Sequence, residues 1–301
     1  MKRFHPRKKH PSRNQFEGWY TRLQSPDSDC NLAIIMAYTT NANDPHAFIQ
    51  VFDGLKNTNR YHRFPIDAYR FDDGVAWIAD NYVSPRGLHL NLDGCAVDVT
   101  FSDASTLNGS AMGYLSSFPL QCYQEVVLLD GRFTGTMNTA SCQGKQIGTL
   151  YMEKTFGKRF PKRWFWLQAN RFGDAALSMA GGHVPTLFFK PFGYFAIFRH
   201  GNHTHTFATY NRAKLSITEH DDTVVFTLKK RRFRLTIKAT KATPTELVGP
   251  TDKGAMTLPV HETLTAHVSV RLMNKDELLY EGESPLGGFE WMMYPKNTKE
   301  T

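Results

Sequence analysis

The chain is poor in the features that most quickly assign a protein to a class. No run of about eighteen apolar residues occurs, because even FFKPFGYFAIF is interrupted by Lys190, Pro191 and Gly193, so a membrane-spanning helix is not expected. The opening MKRFHPRKKH carries charge with no apolar stretch behind it, which is not the layout of a secretory signal. Cysteine is scarce. Cys30, Cys95, Cys122 and Cys142 form no CxxC pair, so all four are expected to be reduced and buried, and the compartment to be cytoplasmic. Both common glycine-rich phosphate loops, GxGxxG and GxxxxGK[ST], are missing, as are the HExxH zinc helix and the GxSxG hydrolase elbow. Helical periodicity is nearly absent too, NKDELLYEGE near the end being the best short candidate.

What the chain does have is bulk, with its charge concentrated at one end. At 301 residues and 41% hydrophobic composition it can bury the core of one large or two medium domains. Six positive charges behind the net +8, those of Lys2, Arg3, Arg7, Lys8, Lys9 and Arg13, lie in the first thirteen residues with no acid among them. Residues 1–13 are therefore expected to form a flexible basic arm, suited to weak contact with an anionic surface and not to specific nucleic-acid recognition. A second basic run, Lys229 to Arg232 with Arg234, in which Arg232 and Arg234 alternate with Phe233 and Leu235, reads as the solvated face of a sheet. His200, His203 and His205 surround a turn-like HGN. With no cysteine or carboxylate ligand nearby they read as a polar turn, and no metal site is expected.

Strand signals arrive at short spacing. Leu88, Leu90 and Leu92 alternate with polar residues, Asp93-Gly94 turns the chain, and Val97, Val99 and Phe101 alternate on the way back, which predicts a tight hairpin. Asp130-Gly131 predicts a second turn, between EVVLL and RFTGTM. YFAIF and THTFATY flank His200-Gly201-Asn202, and TVVFTL precedes RFRLTIKAT. So many antiparallel strands must bury one face each and dispose of their edges, which favours barrels or sandwiches. The break is expected at Gly181-Gly182, dividing residues 14–180 from 181–301.

The stretch Tyr151 to Phe172, YMEKTFGKRFPKRWFWLQANRF, is the most informative. With Arg163 to Asn170 as a strand, Trp164, Trp166, Gln168 and Asn170 share one face, and Phe165, Leu167 and Ala169 share the other. The second face is core. The first mixes indoles with amides, which either bond backbone beside packed rings or line a ligand pocket. Carboxylates recur beside aromatic rings: Glu17 shares a face with Trp19, Glu125 with Tyr123, and Glu153 with Tyr151. A carboxyl walled by aromatics has its pKa raised by desolvation and can serve as a proton donor, while ring faces stabilise a cation.

Taken in order, these segments resemble the tocopherol cyclase-like family. FEGWYTRL, from Phe16 to Leu23, resembles its opening EGWY strand, and MGYLSSFPLQCYQEVV resembles its MG…P…ECYH segment. GTLYMEKTFGKRFPKRWFWLQANRF resembles its signature G-Y-[IL]-E-K-[DN]-W-G-x-x-F-P-x-x-W-x-W-x-Q-x-N, and VGPTDKGAM, HETLTAHVSVRL and GGFEW resemble its end. The chain departs from the pattern at Gln121, Gln124, Thr155 and Phe156. The resemblance implies an all-β fold of two lipocalin-like antiparallel barrels packed together around an apolar cavity. It further implies acid-catalysed cyclisation or hydration of an apolar prenylated or polyene small molecule, with no cofactor. Carried onto matching positions, it implies Glu153 as the acid, with Glu17 second. Trp19, Tyr20, Tyr123, Trp164 and Trp166 then act as pocket walls, and Gln168 and Asn170 as orienting amides. A non-catalytic carrier of an apolar small molecule would use the same walls without needing an acid.

Overall fold

The chain draws two antiparallel strand meanders in succession, the second with one strand, Thr245–Pro250, paired off its main path. The computed structural model describes residues 3–7, 13–26, 30–183 and 192–293, and within them the first eleven strands form one antiparallel sheet and the last ten form another. In each sheet the first strand is hydrogen-bonded both to its successor and to the last strand, so the meander curls into a nearly closed barrel. Phe16–Gln24 pairs with Asn31–Thr39 on one side and Gln143–Gly157 on the other. Trp164–Ala169 likewise pairs with Ala175–His183 and with Glu277–Trp291. The open edges fall between consecutive strands, Thr58–Pro65 and Tyr69–Asp72 in the first barrel, and His203–Ala208 and Lys214–Glu219 in the second. Near-closure leaves few backbone groups unpaired at an edge. The expected all-β, two-barrel architecture is the one observed.

Period-two alternation sorts the side chains into three cores. Along Cys95–Ser105 the first six residues alternate strictly between buried and exposed, Cys95, Val97 and Val99 facing the first barrel's interior. Phe165, Leu167 and Ala169 face the second interior. Between the barrels lies a third core, in which Tyr20, Val126 and Tyr151 of the first meet Trp164, Trp166, Ile197 and Leu264 of the second. Phe16–Gln24 and Trp164–Ala169 are consequently buried at every residue, one face inside a barrel and the other in the seam.

Five expectations are corrected. Asp130-Gly131 is no turn: Cys122–Asn138 runs through it as one strand, and the glycine marks a shift in pairing register between Leu128 and Gly131. NKDELLYEGE is no helix. It holds the turn between Met256–Asn274 and Glu277–Trp291, whose pairing overrides a weak local preference. Gly181-Gly182 lies inside Ala175–His183, and the chain changes sheets in the loop 158–163. Cys30 and Cys142 are not reduced. They precede the second and eleventh strands, and the folding of the first barrel brings their Cα atoms to 5.0 Å in a disulfide, leaving Cys95 and Cys122 as thiols. The basic arm is not a free arm over residues 3–7, where Phe4 is fully buried; residues 8–12 of it lie outside the described residues. Among the described residues no helix is long and apolar enough to cross a membrane.

One buried cation ties the barrels together. Arg22, 1% exposed, points from the first barrel into the seam. Its Nη1 donates to the Gln168 carbonyl (3.2 Å) and Gln168 Oε1 (2.8 Å), and its Nη2 to Asn31 Oδ1 (3.1 Å), the Leu264 carbonyl (2.9 Å) and the Leu286 carbonyl (3.1 Å). Gly288 makes room for it, since a Cβ there would sit 2.9 Å from Nη1 and 2.7 Å from the Trp166 ring. Arg22→Met leaves several buried oxygens without this donor and is expected to lower the unfolding free energy by at least about 3 kcal/mol. The exposed Lys214→Met control should change it by less than about 0.5 kcal/mol, both read by chemical denaturation.

Candidate functional site

A cavity of about 740 Å³ lies at the seam and is walled by both barrels. The first barrel supplies Tyr123 and Gln124 from the start of Cys122–Asn138, and Glu153 and Thr155 from Gln143–Gly157. The loop joining the barrels adds Phe160, and the second barrel adds Trp164, Trp166 and Glu290. Gly181 and Gly182 let this wall close tightly. A Cβ at Gly181 would fall 2.5 Å from the Phe165 ring, and one at Gly182 would fall 2.7 Å from the Arg163 carbonyl. Among the described residues the lining includes two carboxyl groups and no lysine, arginine or histidine.

Those carboxyls are held differently. Glu153 Oε2 accepts three bonds, from Gln124 Nε2 (2.7 Å), the Tyr151 hydroxyl (2.5 Å) and Trp166 Nε1 (3.0 Å). Its Oε1 has no hydrogen-bond partner among the described residues. Burial raises the Glu153 pKa, and the three donors oppose that rise by favouring the ionised form. Among the described residues Glu290 accepts one bond, from Trp164 Nε1. Its pKa is pushed up to about 7, chiefly by desolvation, with the Trp164 bond opposing and the charge of Glu153 adding to the rise. Behind it, Glu262 stands opposite Glu290 on the neighbouring strand and accepts the Tyr20 hydroxyl at 2.7 Å. Burial and the charge of Glu290 hold Glu262 well above the ordinary carboxylate range. Cys122 also borders the cavity, but burial lifts its thiol to about 12, so it stays protonated and unreactive.

The structure brings four of the nine sequence-derived site residues to the cavity: Glu153, Tyr123, Trp164 and Trp166. The other five lie elsewhere. Glu17 and Trp19 point into the first barrel, where Glu17 pairs with Lys154 Nζ at 2.9 Å and accepts the Tyr38 hydroxyl at 2.9 Å. Tyr20 is on the opposite face of the same strand, sealed in the seam against Glu262. Gln168 is engaged by Arg22, and Asn170 Nδ2 donates to the Leu150 carbonyl at 3.1 Å, so both amides join barrels and orient nothing in the cavity. Glu290 escaped the sequence reading. Its signal was an acid between Phe289 and Trp291, both packed in the second interior, which by alternation aims Glu290 at the seam. Gln124, a departure from the family pattern, is one of the three donors on Glu153. No group of three or more metal-ligating side chains capable of holding an ion occurs among the described residues.

The raised carboxyls make folding pH-dependent in a fixed direction. Between the ordinary glutamate value of 4.5 and about 7, folded Glu290 keeps a proton that the unfolded chain has released. Its stabilising contribution is complete below 4.5 and is lost as pH rises through about 7. The melting temperature should therefore fall between about pH 5 and pH 8, and Glu290→Gln should flatten that fall.

The family model described as tocopherol cyclase-like matches residues 95–291. A chloroplastic tocopherol cyclase of Zea mays is 28% identical over 88 residues, covering 27% of this chain and 19% of that protein. A counterpart from Oryza sativa subsp. japonica is 30% identical over the same length, so the chain spans about a fifth of the curated relatives it matches. Kievitone hydratase from Nectria haematococca superposes with a TM-score of 0.55 at 13% identity, over 93% of this chain and 90% of that one. CghA in complex with Sch210972 gives a TM-score of 0.60 at 9% identity, over 92% and 88%. At such identities the solved structures share the fold alone, while the match of the family model over most of the length, central signature included, decides membership: the chain belongs to the tocopherol cyclase-like family.

Proposed function

We propose that this chain is an enzyme that protonates an alkene of an apolar prenylated or polyene small molecule and completes the reaction by ring closure or addition of water. The observation that carries this reading is the pair of unequal carboxyls, Glu290 and Glu153, in an aromatic-walled cavity with no lining cation among the described residues. Two titratable groups whose surroundings push them apart divide into acid and base. Glu290, with one donor and a pKa near 7, holds the proton; Glu153, with three donors on Oε2, is the better carboxylate. This reverses the role that the family pattern assigns to Glu153.

The steps balance without an oxidant or reductant. Glu290 transfers its proton to one alkene carbon, forming a C–H bond and leaving a tertiary cation on the other. Trp164, Trp166 and Phe160 line the cavity, where their rings can stabilise that charge, and an apolar wall limits capture by stray water. A hydroxyl oxygen of the substrate, or a water, then forms the new C–O bond and releases its proton to Glu153 Oε1. Proton return from Glu153 to Glu290 resets the pair. The tocopherol cyclases and the hydratase among the similar proteins carry names that fit this class of chemistry.

The test is turnover of a prenylated hydroquinone by the purified full chain, followed by mass spectrometry. Glu290→Gln should lower kcat by at least about 100-fold and leave KM within a few-fold, the usual size of a general-acid contribution. Wild-type kcat/KM should decline tenfold per pH unit above about 7, where Glu290 loses its proton. Unchanged turnover in Glu290→Gln would refute the assignment.

A further inference from the structure

The first barrel contains a second, distinct cluster of charge and aromatic rings, and residues 3–7 fill it. Phe4 is fully buried, its ring 5.5 Å from Trp19 and 6.1 Å from Phe71. Trp19 Nε1 donates to the Phe4 carbonyl at 2.8 Å, and Lys154 Nζ donates to the His5 carbonyl. The Arg7 backbone N–H donates to Glu17 Oε1 at 3.1 Å, while its guanidinium lies 4.6 Å from the Tyr123 ring centre. Arg3 Nε stands 4.0 Å from Glu125 Oε2. Among the described residues this segment forms no strand, and barrel side chains make the hydrogen bonds that hold it to the barrel. It therefore sits in the barrel as a guest and not as part of the sheet.

From this geometry we infer that the mouth of the first barrel is a peptide-binding site, occupied in cis by residues 3–7. The site offers carboxylates at Glu17 and Glu125, an ammonium at Lys154 and an indole N–H at Trp19, beside an aromatic wall. Its chemistry selects a short segment with an aromatic ring next to its first cation: the ring enters beside Trp19, two successive carbonyls meet the indole and the ammonium, and the cations meet Glu125 and Tyr123. Pro6 fits this reading because it has no N–H to leave unpaired. A tethered occupant acts at an effective concentration on the order of millimolar, so a free peptide competes poorly until the tether's own contacts are weakened. Tyr123 is common to this site and the seam cavity, its ring under Arg7 and its hydroxyl taking the Leu120 N–H at 2.8 Å and donating to the Phe118 carbonyl at 2.6 Å.

The inference does not depend on the reaction proposed for the cavity and is tested without it. The full chain carrying Phe4→Ala and Arg7→Ala is titrated calorimetrically with a blocked synthetic peptide of the sequence of residues 3–7. One-to-one binding to this variant is expected, with none to wild type at the same concentrations. The same peptide with alanine for phenylalanine should bind at least about tenfold more weakly, as loss of a buried ring demands. A variant that keeps the wild-type circular dichroism and melting temperature but binds no peptide at millimolar concentration overturns the inference, as does equal binding to wild type. Should the variant fail to fold, hydrogen exchange on wild type decides. An Arg7 amide that exchanges at least tenfold faster than the Tyr20 amide supports a displaceable occupant, and equal protection of the two overturns it.

Discussion

A guanidinium without a carboxylate partner at its centre is the constraint on which the two-barrel arrangement rests. Arg22 satisfies its terminal nitrogens with three backbone carbonyls and two amide oxygens, four of these five groups lying on the second barrel or on the Gln168 side chain that reaches from it. Neutral acceptors orient a cation without cancelling it. Burial lowers the Arg22 pKa only to about 10, so the group remains charged at neutral pH. The barrels cannot separate or slide without stranding these oxygens, and the seam acquires one registration.

Registration of the seam then decides the chemistry beside it. Phe16–Gln24 and Gln143–Gly157 from the first barrel, and Trp164–Ala169 and Glu277–Trp291 from the second, are the paired first and last strands of their meanders. Closing each barrel brings its first and last strands side by side, and packing the barrels sets all four against one another. The outward faces of these strands carry Glu153 and Glu290 together with Trp164 and Trp166, which supply the indole donors. Glu262 joins them from the strand next to Glu290. Three carboxyls with little cationic compensation cannot all ionise at neutral pH, so the seam retains protons that water would remove.

The interior of the first barrel follows a different logic. Its buried ion pair, Lys154 with Glu17, is hydrogen-bonded on every side, by Tyr38 and by the backbone of residues 3–7. A buried pair of this kind needs such further bonds to offset desolvation. Strand alternation separates it from the seam: Lys154 points inward and Glu153 outward on successive residues of one strand, one paired and the other poised.

The alternation in LHLNL and CAVDVTF, the Asp93-Gly94 turn and the long aromatic strand from Trp164 were legible because a strand's facing has a period of two and a tight turn needs particular residues. Four cavity residues were legible for the same reason, together with the family pattern. The partners were not. Whether the face of Gln168 and Asn170 lines a pocket or a seam depends on what packs against it, and no local pattern records that Arg22, 146 residues earlier in the chain, arrives there. The disulfide joins cysteines 112 residues apart, and Glu290 meets Glu153 only after both barrels have closed. Sequence alone thus determined the strand-rich class, the facing of its most regular strands and the family, since these follow from neighbours along the chain. Tertiary structure decided which buried acids share a cavity, which are neutralised inside a barrel, and where the basic N-terminus goes, since desolvation and Coulomb coupling depend on distances that only folding sets.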